Sequence, residues 1–247
     1  GTAIAIGGDD AAITISSTSS AIIRALGLGV SGAGSGAISV SALGNGVSNE
    51  VTTSVSNATV RAAGDVGIIA QDIAPTGILP SWLLPADRAA AVDSALDGSP
   101  LDLDANILAI NVSVAGSGST AVSAAVMGNV VANTVKASVS NDAVVLAGVR
   151  ADNYAVLDSA SDLAVQARND SGIIAFSVGV GASGSVAVQA SGFGNVITNR
   201  TEASIEDATA NTTTTRLASG GDSLVTAEDQ SQIRSLALSV AASGSVA

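Results

Sequence analysis

Gly44-Asn45-Gly46-Val47-Ser48-Asn49 returns as Gly128-Asn129-Val130-Val131-Ala132-Asn133, and again as Gly194-Asn195-Val196-Ile197-Thr198-Asn199. Each copy is followed by a similar run: Thr53-Ser54-Val55-Ser56-Asn57, Ala137-Ser138-Val139-Ser140-Asn141 and Ala203-Ser204-Ile205-Glu206-Asp207. Each is preceded by a Gly/Ser/Ala block (Gly32–Gly36, Ala115–Ser119, Gly181–Ser185), and a fourth block, Ala241–Ser245, lies near the C-terminus. Self-similarity at long period is the signature of a repeat architecture.

Within a unit the residues alternate. Ala37-Ile38-Ser39-Val40-Ser41, Val51-Thr52-Thr53-Ser54-Val55 and Ser185-Val186-Ala187-Val188-Gln189 all have period two. That period puts successive side chains on opposite faces of a strand with one face buried. The Gly and Asn clusters read as corners, because both residues tolerate positive φ. We therefore expect Gly44, Asn45 and Asn49, with Gly128, Asn129, Asn133, Gly194, Asn195 and Asn199, to form recurring corners, the Asn in left-handed conformation.

Short strands, regular corners and no helical spacer predict an all-β chain, a right-handed parallel β-helix (β-solenoid); right-handed crossover is the rule for parallel strands. The Gly-Asn copies are 84 and 66 residues apart. Such a unit divides into three turns of roughly 20 residues each. The expectation is then about 11 coils, a rod of about 50 Å at ~4.8 Å per coil, with equivalent Asn residues aligned three coils apart and not touching.

The interior should be thin and aliphatic. Hydrophobic residues make up 47% of the 247, but aromatics only 2%, so the core must be Ala, Val, Ile and Leu. The charged fraction of 12% and the positive mean hydropathy of +0.50 oppose disorder.

One segment breaks the pattern. All four prolines (Pro75, Pro80, Pro85 and Pro100) and the single Trp82 fall between 73 and 104. Pro85 opens and Gly98 closes a short helix over Ala86–Leu96. The chain thus divides into solenoid coils at 1–72, a partly helical, Pro-rich insertion projecting at 73–104, and further coils at 105–247. Trp82, Leu83, Leu84 and Arg88 are the insertion's candidate interaction residues. A smaller excursion is expected around Val149–Ser159, and another at the Thr run 212–215.

The net charge is −12, and eight Arg and one Lys are scattered singly, so there is no basic patch for nucleic acid. With neither His nor Cys, the commonest general base and the thiol nucleophile are missing, and the reading is not an enzyme. Gly8-Asp9-Asp10 and Gly220-Gly221-Asp222 echo a calcium-binding repeat but lack its tandem array. No cofactor is expected, beyond a weak possibility of surface Ca2+. Three stretches carry no charge: Ala25–Asn49, Ala105–Val135 and Ser171–Asn199. Their alternation and their Ser, Thr and Asn content argue against membrane-spanning helices. They read as an uncharged wall able to pack on another copy. Gly1–Ile6 and Ser243–Ala247 read as interrupted strand pattern, the expectation for a piece of a longer chain.

The order of these motifs resembles the repeats of giant bacterial filamentous adhesins of the leukotoxin-like and haemagglutinin-like type. It is carried by Gly194–Asp207, then Gly220-Gly221-Asp222-Ser223-Leu224-Val225-Thr226-Ala227-Glu228-Asp229, then Ser231-Gln232-Ile233. The resemblance implies an exported β-helix at the bacterial cell surface. The function expected is a structural rod or filament segment that meets copies of itself through Gly/Ala/Ser/Val faces and terminal coils. The alternative is an adhesin stalk that contacts a receptor or glycan through 73–104.

Overall fold

The computed structural model describes residues 2–5, 11–80, 84–97, 103–207 and 214–246. After β1 (Thr2–Ala5) and β2 (Ile13–Ser19), five strands run in succession: β3 (Ile23–Ala33), β4 (Gly36–Val47), β5 (Glu50–Ser56), β6 (Ala58–Ala62) and β7 (Val66–Asp72). The insertion follows, with its helix α1 (Ala86–Leu96). The same five return as β8 (Ile107–Ser117), β9 (Thr120–Val131), β10 (Thr134–Ser140), β11 (Val144–Ala147) and β12 (Leu163–Asn169). They return once more as β13 (Gly172–Ser183), β14 (Val186–Ile197), β15 (Arg200–Ile205), β16 (Arg216–Ser219) and β17 (Ser223–Asp229), and β18 (Gln232–Ser243) begins another turn.

Every strand pairs in parallel with its counterpart in the next repeat, giving five sheets: β1-β6-β11-β16, β5-β10-β15, β2-β7-β12-β17, β3-β8-β13-β18 and β4-β9-β14. The chain is an all-β parallel solenoid, as the alternation requires. Its coil is not the one expected. Gly44 pairs with Gly128 and Gly128 with Gly194, so one whole repeat is one coil. The described strands stack three or four deep, not eleven. At ~4.8 Å per layer the stack is about 19 Å thick, and the molecule is a broad slab, not a thin rod. The strand pattern is the same whether a repeat closes in one turn or three; only the register separates them.

The cross-section has two parts. In the lobe, three short sheets enclose an aliphatic core: Val51, Val55, Val135 and Val139 from one wall, Val60 and Val145 from the second, and Val66, Ile68, Leu163 and Val165 from the third. No aromatic is needed because no point in this narrow triangle is far from a wall. The β5–β6 and β10–β11 corners turn on Asn57 (φ 50°), Asn141 (φ 53°) and Asp142 (φ 62°). Left-handed Asn thus occurs one strand further along than expected.

In the arm, the long strands of the β3 and β4 series fold back on each other at the Gly/Ser blocks. A second core of Val47, Ile107, Ala109, Met127, Val131, Ile173 and Ala175 fills its base. Ala37, Ala115 and Ala121 fill its outer part. At the tip the coils come into backbone contact: a Cβ on Gly118 would collide with the Gly34 carbonyl, and one on Gly184 with the Gly118 carbonyl. Only glycine permits this stacking.

The differing repeat lengths come from connections. β7 and β8 are joined by 73–106, where the later coils use only Asp170-Ser171 and Gln230-Ser231. The second coil spends its extra residues at 148–162, where Val149 and Val156 form an antiparallel bridge and Tyr154 has φ 57°. Of the Thr run, 212 and 213 lie outside the described residues.

Candidate interaction surface

The Gly-Asn motifs lie inside strands, not at corners. Gly44, Gly128 and Gly194 sit in the last third of β4, β9 and β14, on the outer face of the arm, where nothing lies within 4 Å of a Cβ placed on them. Asn45, Asn129 and Asn195 face inward and touch: Asn45 Nδ2 donates to Asn129 Oδ1 at 2.7 Å, and Asn129 Nδ2 to Asn195 Oδ1 at 2.7 Å. The expected three-coil separation is thus overturned, because equivalent residues are vertical neighbours. Asn49, Asn133 and Asn199 do stand at the bend between arm and lobe. The Asn49 backbone N–H donates to Asn133 Oδ1 and that of Asn133 to Asn199 Oδ1, both at 3.0 Å. Across this waist, Asn49 Nδ2 donates to Asp72 Oδ2 at 2.9 Å and Asn133 Nδ2 to Ser171 Oγ at 3.1 Å. A polar ladder therefore separates the two aliphatic cores.

Between the aliphatic base of the arm and its alanine-filled outer part, the interior is small and polar. Ser113 Oγ donates to the Ser39 carbonyl at 3.1 Å and Ser123 Oγ to the Ser113 carbonyl at 2.9 Å. Asn111 Nδ2 donates to the carbonyls of Ser41 and Val126 at 3.0 and 2.8 Å, and Ser177 Oγ to that of Ala125 at 3.0 Å. Buried polar groups paired in this way avoid the desolvation cost of unpaired ones. Long side chains face glycines here: a Cβ on Gly27 would strike Asn111 and one on Gly179 would strike Gln189.

With polar residues inside, the alternation leaves apolar ones outside. On the β3-series sheet, three rows run along the solenoid axis: Leu26/Ile110/Phe176/Leu236, Leu28/Val112/Val178/Leu238 and Val30/Val114/Val180/Val240. Leu26, Leu28 and Val30 of the first coil are 53%, 67% and 71% exposed, and Ile110, Val112 and Val114 of the second are half-buried. The opposite sheet presents Ile38/Val122/Val188 and Val40/Ala124/Ala190, then the glycine row 44/128/194 between Ala42/Val126/Gly192 and Gly46/Val130/Val196. None of these positions is charged. The three uncharged stretches of sequence are the three arm turns.

The insertion is strapped down at its root. Ile78 is fully buried against Leu108 and Ile174, at the foot of the β3-series outer face. Arg24 Nε and Nη2 donate to the carbonyls of Ile78 and Gly77 at 2.8 and 2.9 Å, and Gly77 N–H donates to Asp93 Oδ2 on α1 at 3.1 Å. The helix has the expected span, with Pro85 at its N-cap; Gly98 lies outside the described residues. Leu84 is half-buried and Arg88 exposed, while Trp82 and Leu83 lie outside the described residues. A cavity of about 300 Å3 at this root is lined in part by Thr76, Arg168, Asp170, Gln230, Gln232 and Arg234. Within it Arg168 Nε pairs with Asp170 Oδ2 at 2.9 Å.

No known protein family, no curated protein and no solved structure matches the chain.

Among the described residues no cluster of three or more acidic side chains forms a metal site. Gly8-Asp9-Asp10 lies outside them. Around the other candidate, carboxylates bind backbone: Asp65 Oδ1 accepts from Asp162 N–H at 2.8 Å, and Asp162 Oδ1 from Asp222 N–H at 2.7 Å. These aspartates tie one coil to the next. The single lysine does so too, with Lys136 Nζ 3.0 Å from Glu202 on the neighbouring coil. The Glu202 hydrogen bond raises the Lys136 pKa above its ordinary value and lowers that of Glu202. No helix among the described residues is long and apolar enough to cross a membrane.

Proposed function

We propose that this chain is a structural, non-enzymatic segment of an extracellular, repetitive bacterial surface protein, and that it assembles side by side or end to end through uncharged faces. The observation that carries the reading is the arm, apolar outside on both flanks over an interior that is polar along its middle. Contiguous exposed apolar patches are often functional contact surfaces. Here each flank offers rows that lengthen with every added coil. The absence of His and Cys suits a mechanical role, and the resemblance to filamentous adhesin repeats points to the cell surface.

A second reading, the binding region of an adhesin stalk, rests on the root of the insertion. There Arg168, Arg234, Gln230 and Gln232 offer hydrogen-bond donors around a cavity large enough for a small polar group.

Electron microscopy of the purified chain separates the two. Ordered fibres or bundles support assembly. Monodisperse particles at all concentrations, together with glycan or cell attachment lost on removing the insertion, support the stalk.

A further inference from the structure

Resting on the assembly reading, we infer that the partner of the arm is the arm of a second copy, joined heterologously: the β3-series outer face of one molecule packs on the β4-series outer face of the next. The two faces differ in relief. The β3-series face is ridged by the row Leu26/Ile110/Phe176/Leu236, whose Ile110 also packs against the Ile78 cluster at the foot of the face. The β4-series face is grooved by the row Gly44/Gly128/Gly194, which has no side chains and open space above it. Ridge and groove both run along the solenoid axis and repeat once per coil, ~4.8 Å. A ridge laid in a groove with axes parallel therefore sets an apolar side chain over glycine at each of the three glycine layers. Two ridged faces would stand apart on their Leu and Phe side chains, and two grooved faces would enclose a void, which forfeits dispersion contacts.

Area sets the kind of assembly. From strand spacing and rise, each face covers about 400 Å2. A stable interface takes about 800 Å2 per partner. Each contact falls short of that, so association is weak and depends on protein concentration. A heterologous contact that does not close propagates, so the product is an open lateral array and not a discrete dimer.

A lipid bilayer is the competing occupant of an apolar face, and the composition disfavours it. Membrane strands carry aromatic girdles at both interfaces. The outer faces of the arm carry one aromatic, Phe176, and one flank is rich in glycine.

The chain has no cysteine, which makes the test direct. Leu28→Cys marks the ridged face and Ala42→Cys the grooved face, and a short bis-maleimide reports which marks meet. An equimolar mixture should give crosslinked dimers several-fold above either protein alone, and Leu28→Glu should raise the concentration needed for association at least tenfold. Leu28 is mostly exposed, so circular dichroism of that variant should be unchanged. Predominant Leu28→Cys homodimers would overturn the heterologous geometry. Association by sedimentation with neither crosslinks nor sensitivity to Leu28→Glu would place assembly elsewhere, leaving the assembly reading intact. Monomers that bind phosphatidylcholine vesicles through Leu28 would give the face to lipid. Sedimentation as a monomer at every concentration, without vesicle binding, would remove the assembly reading itself.

Discussion

Asp72 is the residue where the waist is least comfortable. It is fully buried, Asn49 reaches one carboxylate oxygen, and the other has no hydrogen-bond partner among the described residues. Burial raises its pKa above the ordinary aspartate value, and Asp170 nearby adds to this, against the Asn49 hydrogen bond. The folded state therefore holds the proton more tightly than the unfolded state. Stability should fall as pH rises from the ordinary aspartate value through the raised one, and level off above it. The next coil places Asn169 at this register position. Asp72→Asn should accordingly stabilise the protein at pH 7 by about 1 kcal/mol and flatten its acid dependence. Urea midpoints at several pH values measure both. A variant weaker than the parent at pH 7 would show that the charge is held favourably.

Glycines divide by position just as sharply. Gly184 meets the Gly118 carbonyl at the arm tip, whereas Gly128 faces open space on the flank. Gly184→Ala should cost about 1–3 kcal/mol by forcing two coils apart. Gly128→Ala should be neutral or gain up to about 1 kcal/mol, by restricting the unfolded chain. Equal melting shifts for the two would refute the backbone-contact argument.

Among the elements, the Asn ladder holds the arm in register. A one-residue slip in β9 would turn Asn129 outward and Val130 inward, exchanging every polar and apolar position of the strand. Asn129 is fully buried and bonds both neighbours through its side chain, so Asn129→Ala should cost about 2 kcal/mol or more by leaving buried amides unpaired. Asn195→Ala removes one ladder bond, and chemical denaturation should find it the milder of the two. Strands were legible because period two is local: each alternating run quoted from the sequence is a strand, and each uncharged stretch is an arm turn. Coil size was not legible, because it depends on which repeats touch. One physical clue was available. Side-chain ladders of like residues form between vertical neighbours, and repeats that keep Asn at equivalent positions satisfy that need most simply when each repeat is a single turn. The inward Asn45 and outward Gly44 looked like a corner only because Gly-Asn favours turns in isolation; packing of the arm overrode that preference. Ile78 was missed for a similar reason, since a lone Ile among prolines gives no periodic signal of burial.

At the scale of the molecule, the insertion is best understood by register. Aligning β7 with β12 and β8 with β13 sets Ile73 opposite Asp170 and Ala105 opposite Ser171, the two-residue connection of the later coil. Deleting 74–104 should therefore rebuild a coil of ordinary length without disturbing a strand. The cost should be about 2–3 kcal/mol, the burial of Ile78 and its neighbours. The deletion also uncovers Leu108 and Ile174, the two central members of the next row of the arm's ridged face toward the lobe, whose ends are Arg24 and Arg234. In this chain the insertion thus acts as a cover over the foot of that face, and its removal widens the apolar surface. The expected result is a folded, all-β variant that associates at lower protein concentration than the parent. Circular dichroism and sedimentation velocity measure the two parts separately. A variant that keeps its strands but associates less would mean that the insertion itself supplies the contact, and would move the argument from the arm to the binding reading.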